Sequence, residues 1–313
     1  MSVLRPIRSV ARDAMRTINA MLAVETRYRR FARISWIGGH PVADVKHTPG
    51  GSLYVHLLDL GVGRPLYTGC AYELDETRLL ERFLSPAMHV VDVGANVGYM
   101  SALAAKQVGP RGRVLAIEPD PGNSTLLAAN LSRNGYRNVA IESVAVGAAP
   151  GTVTLFRSAW NMGNHRVNAG PAAQTQARDT IAVPMETVDA LIVRHRLTPV
   201  HFVKMDVEGY EPGVLAGMNG LLERDRPLVL TEFWPFGMRD AGFDPVAFLE
   251  TFFRMGYDCR TVSNADQPLT TTDAVLKTLP DNASGTYENL LFVPAVHAGS
   301  RSSDRGAAVV ESF

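Results

Sequence analysis

Three stretches of the 313-residue chain combine residue types and spacing that can do chemistry. The first is Val90-Val91-Asp92-Val93-Gly94-Ala95-Asn96-Val97-Gly98-Tyr99, an apolar run, a glycine-bearing turn and the start of a helical pattern. Glycines at 94 and 98 permit a tight turn and let a ligand approach the backbone closely. Glu118 ends the next apolar run, in Ala116-Ile117-Glu118-Pro119-Asp120, where an acid can accept hydrogen bonds from two ribose hydroxyls. The second stretch is Lys204-Met205-Asp206-Val207-Glu208-Gly209. In an extended chain residues 204, 206 and 208 face one way, and three charges on a buried face must be paired or functional. Two readings stay open there: an internal network in which Lys204 neutralises the carboxylates, or a direct part for Asp206 and Glu208 in proton transfer. Glu232, in Leu230-Thr231-Glu232, is expected to enter the same crevice. The third stretch is Asn161-Met162-Gly163-Asn164-His165-Arg166. His165 is a candidate general base and Arg166 a candidate partner for a substrate carboxylate or phosphate, the alternative for each being a solvated loop residue. His165, Asp206 and Glu232 would offer a divalent cation three ligands if they converged. No sequential ligand motif supports a metal, and none is expected.

A glycine loop followed by a ribose acid serves both dinucleotide enzymes and methyltransferases. A pyrophosphate binder uses G-x-G-x-x-G, with bare backbone amides turned to two phosphates. Here the middle glycine is replaced, giving Gly94-Ala95-Asn96-Val97-Gly98, and Asp92 would repel a pyrophosphate. An acid at that place suits a cationic ligand part, such as the ammonium or sulfonium of S-adenosylmethionine. The rival readings are an NAD-dependent oxidoreductase on the same topology and a non-catalytic S-adenosylmethionine-binding partner subunit.

The elements that must position these groups alternate between strand and helix. Residues 90–93, 114–117, 140–146, 202–205 and 228–231 read as five parallel strands, with helices over 99–108, 124–134 and 245–255. Residues 257–262 and 289–293 are expected to pair as closing strands, and 153–156 and 181–184 to add strands around a polar insertion. Such βαβ units specify a parallel sheet covered on both faces, with ligands at the carboxyl ends of its strands. Ahead of it, 73–83 reads as a helix and 34–68 as a small antiparallel cap. The first 33 residues carry eight arginines against Asp13 and Glu25 and are expected to form an amphipathic helix. Three regions result: a basic helix and β cap over 1–68, the main domain over 69–296 and a disordered tail over 297–313. Acceptor pockets are built from loops and caps, so 34–68 and 157–180 are expected to shape one.

Apolar residues make up 46% of the chain and charged residues 20%, enough for a sizeable core. The net charge of zero gives no electrostatic footprint for nucleic acid, so no nucleic-acid partner is expected. Cys70 and Cys259 make neither a disulfide framework nor a zinc site. No apolar run is long enough to span a bilayer and no secretory signal is present, so a cytoplasmic protein is expected, as a monomer or a homo-oligomer.

An ordered series of motifs makes the chain resemble the FkbM family of methyltransferases. It runs through Gly69 with Tyr72-Glu73, the 91–99 loop, Gly109-Pro110-Arg111-Gly112, Glu118-Pro119-Asp120, Ala145-Val146-Gly147 and Thr187-Val188-Asp189. It continues through Lys204-Met205-Asp206-Val207-Glu208-Gly209-Tyr210-Glu211, Leu215-Gly217-Met218 and Glu232, covering roughly residues 65–295. The resemblance implies a class I, Rossmann-like methyltransferase fold with a doubly wound seven-stranded sheet, and S-adenosyl-L-methionine as methyl donor. It implies O-methylation of a small-molecule acceptor, often a sugar or secondary metabolite. It assigns the methionine part to Asp92, Gly94, Asn96 and Gly98, the ribose to Glu118 and the adenine to Ser143, Val144 and Ala145. Tyr72, Glu73, Ala95 and Pro119 complete the expected cofactor set, and Asp206, Glu208 and His165 are the expected catalytic residues.

Overall fold

The computed structural model describes residues 35–69, 72–167, 170–279 and 285–295. The helix expected within the first 33 residues and the expected C-terminal tail lie outside them.

The described chain opens with strands β1 (Ser35–Ile37), β2 (His40–Thr48) and β3 (Gly51–His56), an antiparallel sheet, followed by helices α1 (Gly63–Thr68) and α2 (Leu74–Phe83). Alternating units follow: β4 (His89–Val93), α3 (Tyr99–Val108), β5 (Arg113–Ile117), α4 (Pro121–Arg133) and β6 (Val139–Glu142). Next come β7 (Ala145–Val146), β8 (Gly151–Ser158), β9 (Arg166–Val167), α5 (Pro171–Gln176), β10 (Ala177–Glu186) and α6 (Val188–His195). The last third holds β11 (Phe202–Met205), α7 (Glu211–Ala216), α8 (Asn219–Asp225), β12 (Leu228–Phe233), α9 (Pro235–Asp240) and α10 (Pro245–Arg254). It closes with β13 (Tyr257–Thr261), β14 (Asn264–Leu269), α11 (Thr272–Leu276) and β15 (Glu288–Pro294).

The main sheet has the order β14-β13-β15-β12-β11-β4-β5-β6. The five expected parallel strands lie side by side, β12, β11, β4, β5 and β6, and β15 runs antiparallel between β12 and β13. Strand order reverses between β4 and β11, so the crevice at their carboxyl ends is the ligand position of such a sheet. Side chains alternate between two cores: Val91, Val93, Val203 and Met205 face one, and Val90, Ala116, Phe202 and Leu230 the other. This is the class I methyltransferase fold, with two departures from the sequence reading. The sheet has eight strands rather than seven, because the polar Asn264–Leu269 forms a hairpin with β13 at the sheet's edge. An edge strand with Pro268 and mostly exposed side chains has no apolar alternation to reveal it. The strand expected over 140–146 is also two strands. The chain leaves the main sheet at Ser143, and Ala145–Val146 joins a second sheet of order β7-β10-β8-β9. Period-2 patterning fixes which residues are buried, not which sheet buries them.

The small sheet is fastened to the main domain by side-chain amides. Asn130 of α4 accepts from the Tyr54 N–H (2.6 Å) and donates to the Tyr54 carbonyl (2.9 Å) and the Val97 carbonyl (2.7 Å). Asn134, one turn on, makes the same two-way pair with Ser52 (2.9 and 2.7 Å). A helical turn of four residues advances about 6 Å and two strand residues about 6.6 Å, so the two amides match the exposed edge of β3. Asn130 thereby ties the cap to the glycine loop.

Candidate functional site

The loop between β4 and α3 uses up its own amides. Gly94 and Ala95 N–H both donate to the Ile117 carbonyl, each at 3.0 Å, and Gly98 N–H donates to Ala95. Asn96, with a left-handed backbone (φ 51°), gives its N–H to Glu118 at 2.8 Å, and its side-chain oxygen takes the Val97 N–H. No N–H from 94 to 98 is left for a phosphate, which removes the dinucleotide reading. Glycine is required at 94, where a Cβ would sit 1.9 Å from the Asp206 carbonyl oxygen.

Glu118 is 5% exposed and lines a cavity of about 960 Å³ at the strands' carboxyl ends. Its two oxygens accept the N–H groups of Asn96 (2.8 Å) and Asp120 (2.9 Å). Burial pushes its pKa up to about 7, against those two donors. Asn123 lies close enough to add a side-chain hydrogen bond to the same carboxyl. Ile117, Pro119, Val144, Ala145 and Leu155 line the cavity beside it, an apolar slot for a purine. Ser143 is not among the lining residues, unlike Val144 and Ala145; it is exposed and its hydroxyl is bonded to Ser124 (2.5 Å). Gly94, Ala95 and Asn96 line the cavity, whereas Gly98 (φ 91°) supports the loop from behind, packed toward Leu127. Tyr72 and Glu73 line it as well, Tyr72 with its ring edge-on to Tyr99.

Asp92 also departs from expectation. It is 1% exposed and absent from the cavity wall, since it lies inside β4, one residue short of the strand's end, and turns to Ser101 beneath α3. Ser101 of α3 donates to it at 2.5 Å, and its other oxygen has only the Lys204 ammonium at 3.9 Å. Lys204 does reach the cavity and donates to Asp206 at 3.2 Å. Burial would lower the Lys204 ammonium, but Asp206, Asp92 and Glu73 together outweigh it and raise the pKa. Asp92 therefore acts on the site through Lys204 rather than by touching a ligand.

The expected alternation of 204, 206 and 208 ends with β11 at Met205. Beyond it the chain turns, with Glu208 left-handed (φ 59°) and Gly209 at φ 95°. Glu211 takes the Val207 N–H (2.9 Å) and Gly209 N–H (3.3 Å), while Arg166 takes the Glu208 carbonyl (3.0 Å). Asp206, Glu208 and Glu232 all line the cavity. Burial raises Glu208 well above the usual carboxylate range, with Asp206 and Glu211 adding to it. Burial does the same to Glu232, with Glu208 and Asp206 adding. Glu73 is raised to about 7 by burial, partly offset by Lys204.

The third stretch closes the cavity but does not supply its base. Asn96 (3.3 Å) and Asn123 (2.9 Å) both donate to the Met162 carbonyl, and Met162 N–H donates to Asp59 at 3.0 Å. Asp59 also receives the N–H groups of Gly61, Val62 and Gly63, so the cap and the insertion form one wall. His165 takes the Ser158 N–H on Nδ1 (3.1 Å), with Nε2 3.9 Å from Asp120. That bonding puts the proton of the neutral ring on Nε2 and leaves no basic nitrogen free, and burial lowers its pKa further. Arg166 is equally committed, to Asp240 (3.1 Å), the Glu208 and Gly237 carbonyls and the Trp234 ring. Neither residue fills the role its sequence suggests. Among the described residues no group of His, Cys, Asp and Glu is arranged to hold a metal ion.

The donor set fits S-adenosylmethionine: a buried carboxylate suited to the ribose and, beside it, apolar residues suited to the adenine. The curated protein-L-isoaspartate O-methyltransferase of Aeropyrum pernix is 40% identical over 81 residues, 24% of this chain and 31% of that protein. The enzyme of the same name from Triticum aestivum is 41% identical over 56 residues, 18% of this chain and 24% of that protein. The chain thus spans less than a third of the length of these curated relatives. Among solved structures, the methyltransferase FkbM of Methylobacillus flagellatus is 16% identical with a TM-score of 0.41, over 69% of this chain and 50% of that one. A SAM-dependent methyltransferase of Aquifex aeolicus is 16% identical with a TM-score of 0.36, over 70% and 88%. No described helix is long and apolar enough to cross a membrane. The family model of the methyltransferase FkbM domain matches residues 92–259, more than half of the chain, from the residue that opens the glycine loop to the closing strand β13, and the chain belongs to that family.

Proposed function

We propose that this chain transfers the methyl group of S-adenosylmethionine to a hydroxyl oxygen of a small molecule. The observation that carries the reading is one continuous cavity with two unlike halves. Glu118 and the 94–97 loop form one, and the carboxylates of Asp206, Glu208 and Glu232 the other. When bound, the cofactor supplies an electrophilic methyl on its sulfonium. The rest falls to the chain's own side chains. Glu118 orients the ribose, and the loop fixes how far the donor enters. Lys204 holds the Asp206 carboxylate in place by its hydrogen bond, and Asp206 and Glu208 hold the acceptor hydroxyl and take its proton. A carboxylate raised toward neutrality by its surroundings is the better base for that task. In-line placement of acceptor and methyl supplies much of the acceleration. A carboxylate acceptor, such as the isoaspartate in the relatives' name, needs no base and would enter against three acids.

The test is transfer of labelled methyl from S-adenosylmethionine to pooled hydroxylated compounds, followed by mild alkali. Methyl ethers keep the label and methyl esters lose it. Alkali-stable product supports the reading, whereas alkali-labile product, or none from a protein that binds S-adenosylhomocysteine, overturns it.

A further inference from the structure

We infer that the acceptor is a polyhydroxylated amine, of the amino sugar or amino alcohol class, whose ammonium lies against Glu232 and Glu208. The inference rests on the proposed function of the same cavity. On the side beyond Lys204 the wall carries Glu73, Glu76, Asp206, Glu208 and Glu232. Among the described residues the wall's lysine and arginine are both engaged: Lys204 with Asp206 and Asp92, and Arg166 with Asp240 and two carbonyls. The cofactor's single net positive charge offsets only one of these acids. One Glu232 oxygen is buried with no hydrogen-bond partner, an acceptor that lacks its donor. Beside it stand Trp234 and Phe236, ring centroids 5.9 Å apart, and Tyr287, all lining the cavity. Aromatic faces next to carboxylates suit the C–H face of a ring polyol and an ammonium together. A phosphate or carboxylate would meet the same wall with no lysine or arginine of the described lining uncommitted.

The experiment uses the chain saturated with S-adenosylhomocysteine and two scaffolds, a hexose and a cyclitol, each in amino, neutral and anionic form. Calorimetry should show the amino forms binding about tenfold or more tighter than the neutral ones, and the anionic forms weakest. Glu232→Gln should bring that ratio down toward one while the affinity for S-adenosylhomocysteine stays as it was. Glu208→Gln serves in its place if the first variant does not fold. Neutral or anionic probes binding as tightly as amino ones overturn the inference. So does failure of the amino probes to bind, or an undiminished amino preference in the folded variant. Failure to bind S-adenosylhomocysteine at the outset would instead refute the cofactor assignment beneath the proposed function.

Discussion

Replacing Glu118 by alanine tests the cofactor half of the site most directly. In the structure each of its oxygens accepts one backbone N–H, and the proposed reading gives each a ribose hydroxyl as well. A hydrogen bond to a charged group contributes roughly 1.5–3 kcal/mol. Two such bonds to the ribose, discounted because each oxygen already shares with an amide, come to about 2–4 kcal/mol. That is a weakening of Kd for S-adenosylhomocysteine of roughly 30- to 1,000-fold. The pH dependence has a sign that can be checked. With the carboxyl at about 7 in the empty protein, ligand hydroxyls favour the ionised form, so wild-type affinity should rise from pH 6 to pH 8. In Glu118→Ala that rise should shrink, and Glu118→Gln, which keeps one acceptor, should fall between the two. Calorimetry at both pH values reads all of this. An affinity within about threefold of wild type at pH 8, in a variant with an unchanged melting curve, would refute the ribose assignment.

Asp206→Asn keeps the shape of the Lys204 partner and removes its charge, so turnover should fall by about 100-fold or more while S-adenosylhomocysteine affinity changes little. Equal losses of stability and turnover would return Asp206 to a purely structural ion pair. Asn130→Ala removes three hydrogen bonds of a buried amide and strands the Tyr54 and Val97 groups. It should cost about 2–4 kcal/mol in urea unfolding, and an effect below 1 kcal/mol would refute the edge-clamp account. Glu73, Glu118 and Glu211 start from 4.5 and are raised to about 7 in the fold, so they keep protons that the unfolded chain gives up. Their contribution to stability is complete below pH 4.5 and lost as pH rises through 7. The empty protein should therefore unfold more easily in urea at pH 8 than at pH 5.5. Stability that climbs over that interval would show that other groups dominate.

Much of this fold is legible because its signals are local. Helix α3 occupies Tyr99–Val108, as its flanking Gly98 and Gly109 indicate, and the five parallel strands are apolar runs of the right length. Helix α6 escapes notice although Thr187 caps it, accepting the Ala190 N–H, because Val188–His195 is short and its apolar stripe brief. Asn130 and Asn134 carried a readable signal, two amides one turn apart in an apolar helix, but a sequence cannot say whether water or a strand edge receives them. The place of Glu118 is legible since it follows the glycine loop at the end of the adjacent strand and lines the cavity there. Asp92 lies just as close in sequence but sits inside β4, opposite Ala116, whereas Glu118 lies just past the end of β5. Depth along the strand, and not the face alone, separates lining the cavity from sitting beneath it.

The acceptor half is less legible for a reason that also says how it works. Its wall is assembled from Glu73 and Glu76, the 161–167 insertion, the 206–211 turn, Glu232 to Phe236, and residues 285–289. No spacing rule links segments so far apart. What fixes them is a small set of buried contacts that carry no chemistry of their own. Arg166 holds the Glu208 carbonyl with one nitrogen while its others bind Asp240 and the Gly237 carbonyl. Glu211 gathers the turn's amides, and Gly209 packs so close to Gly237 that a Cβ would lie 2.5 Å from its backbone carbon. Together they keep Glu208 in a left-handed conformation, which costs a residue with a side chain about 1–3 kcal/mol. The same turn keeps its carboxylate near two other acids that repel it. A turn so constrained cannot relax to separate the charges, so the repulsion persists in the empty cavity. It is relieved only by protons or by a ligand that brings positive charge and hydrogen-bond donors. Arg166 looks like a substrate hook in the sequence; in the fold it keeps that repulsion in place.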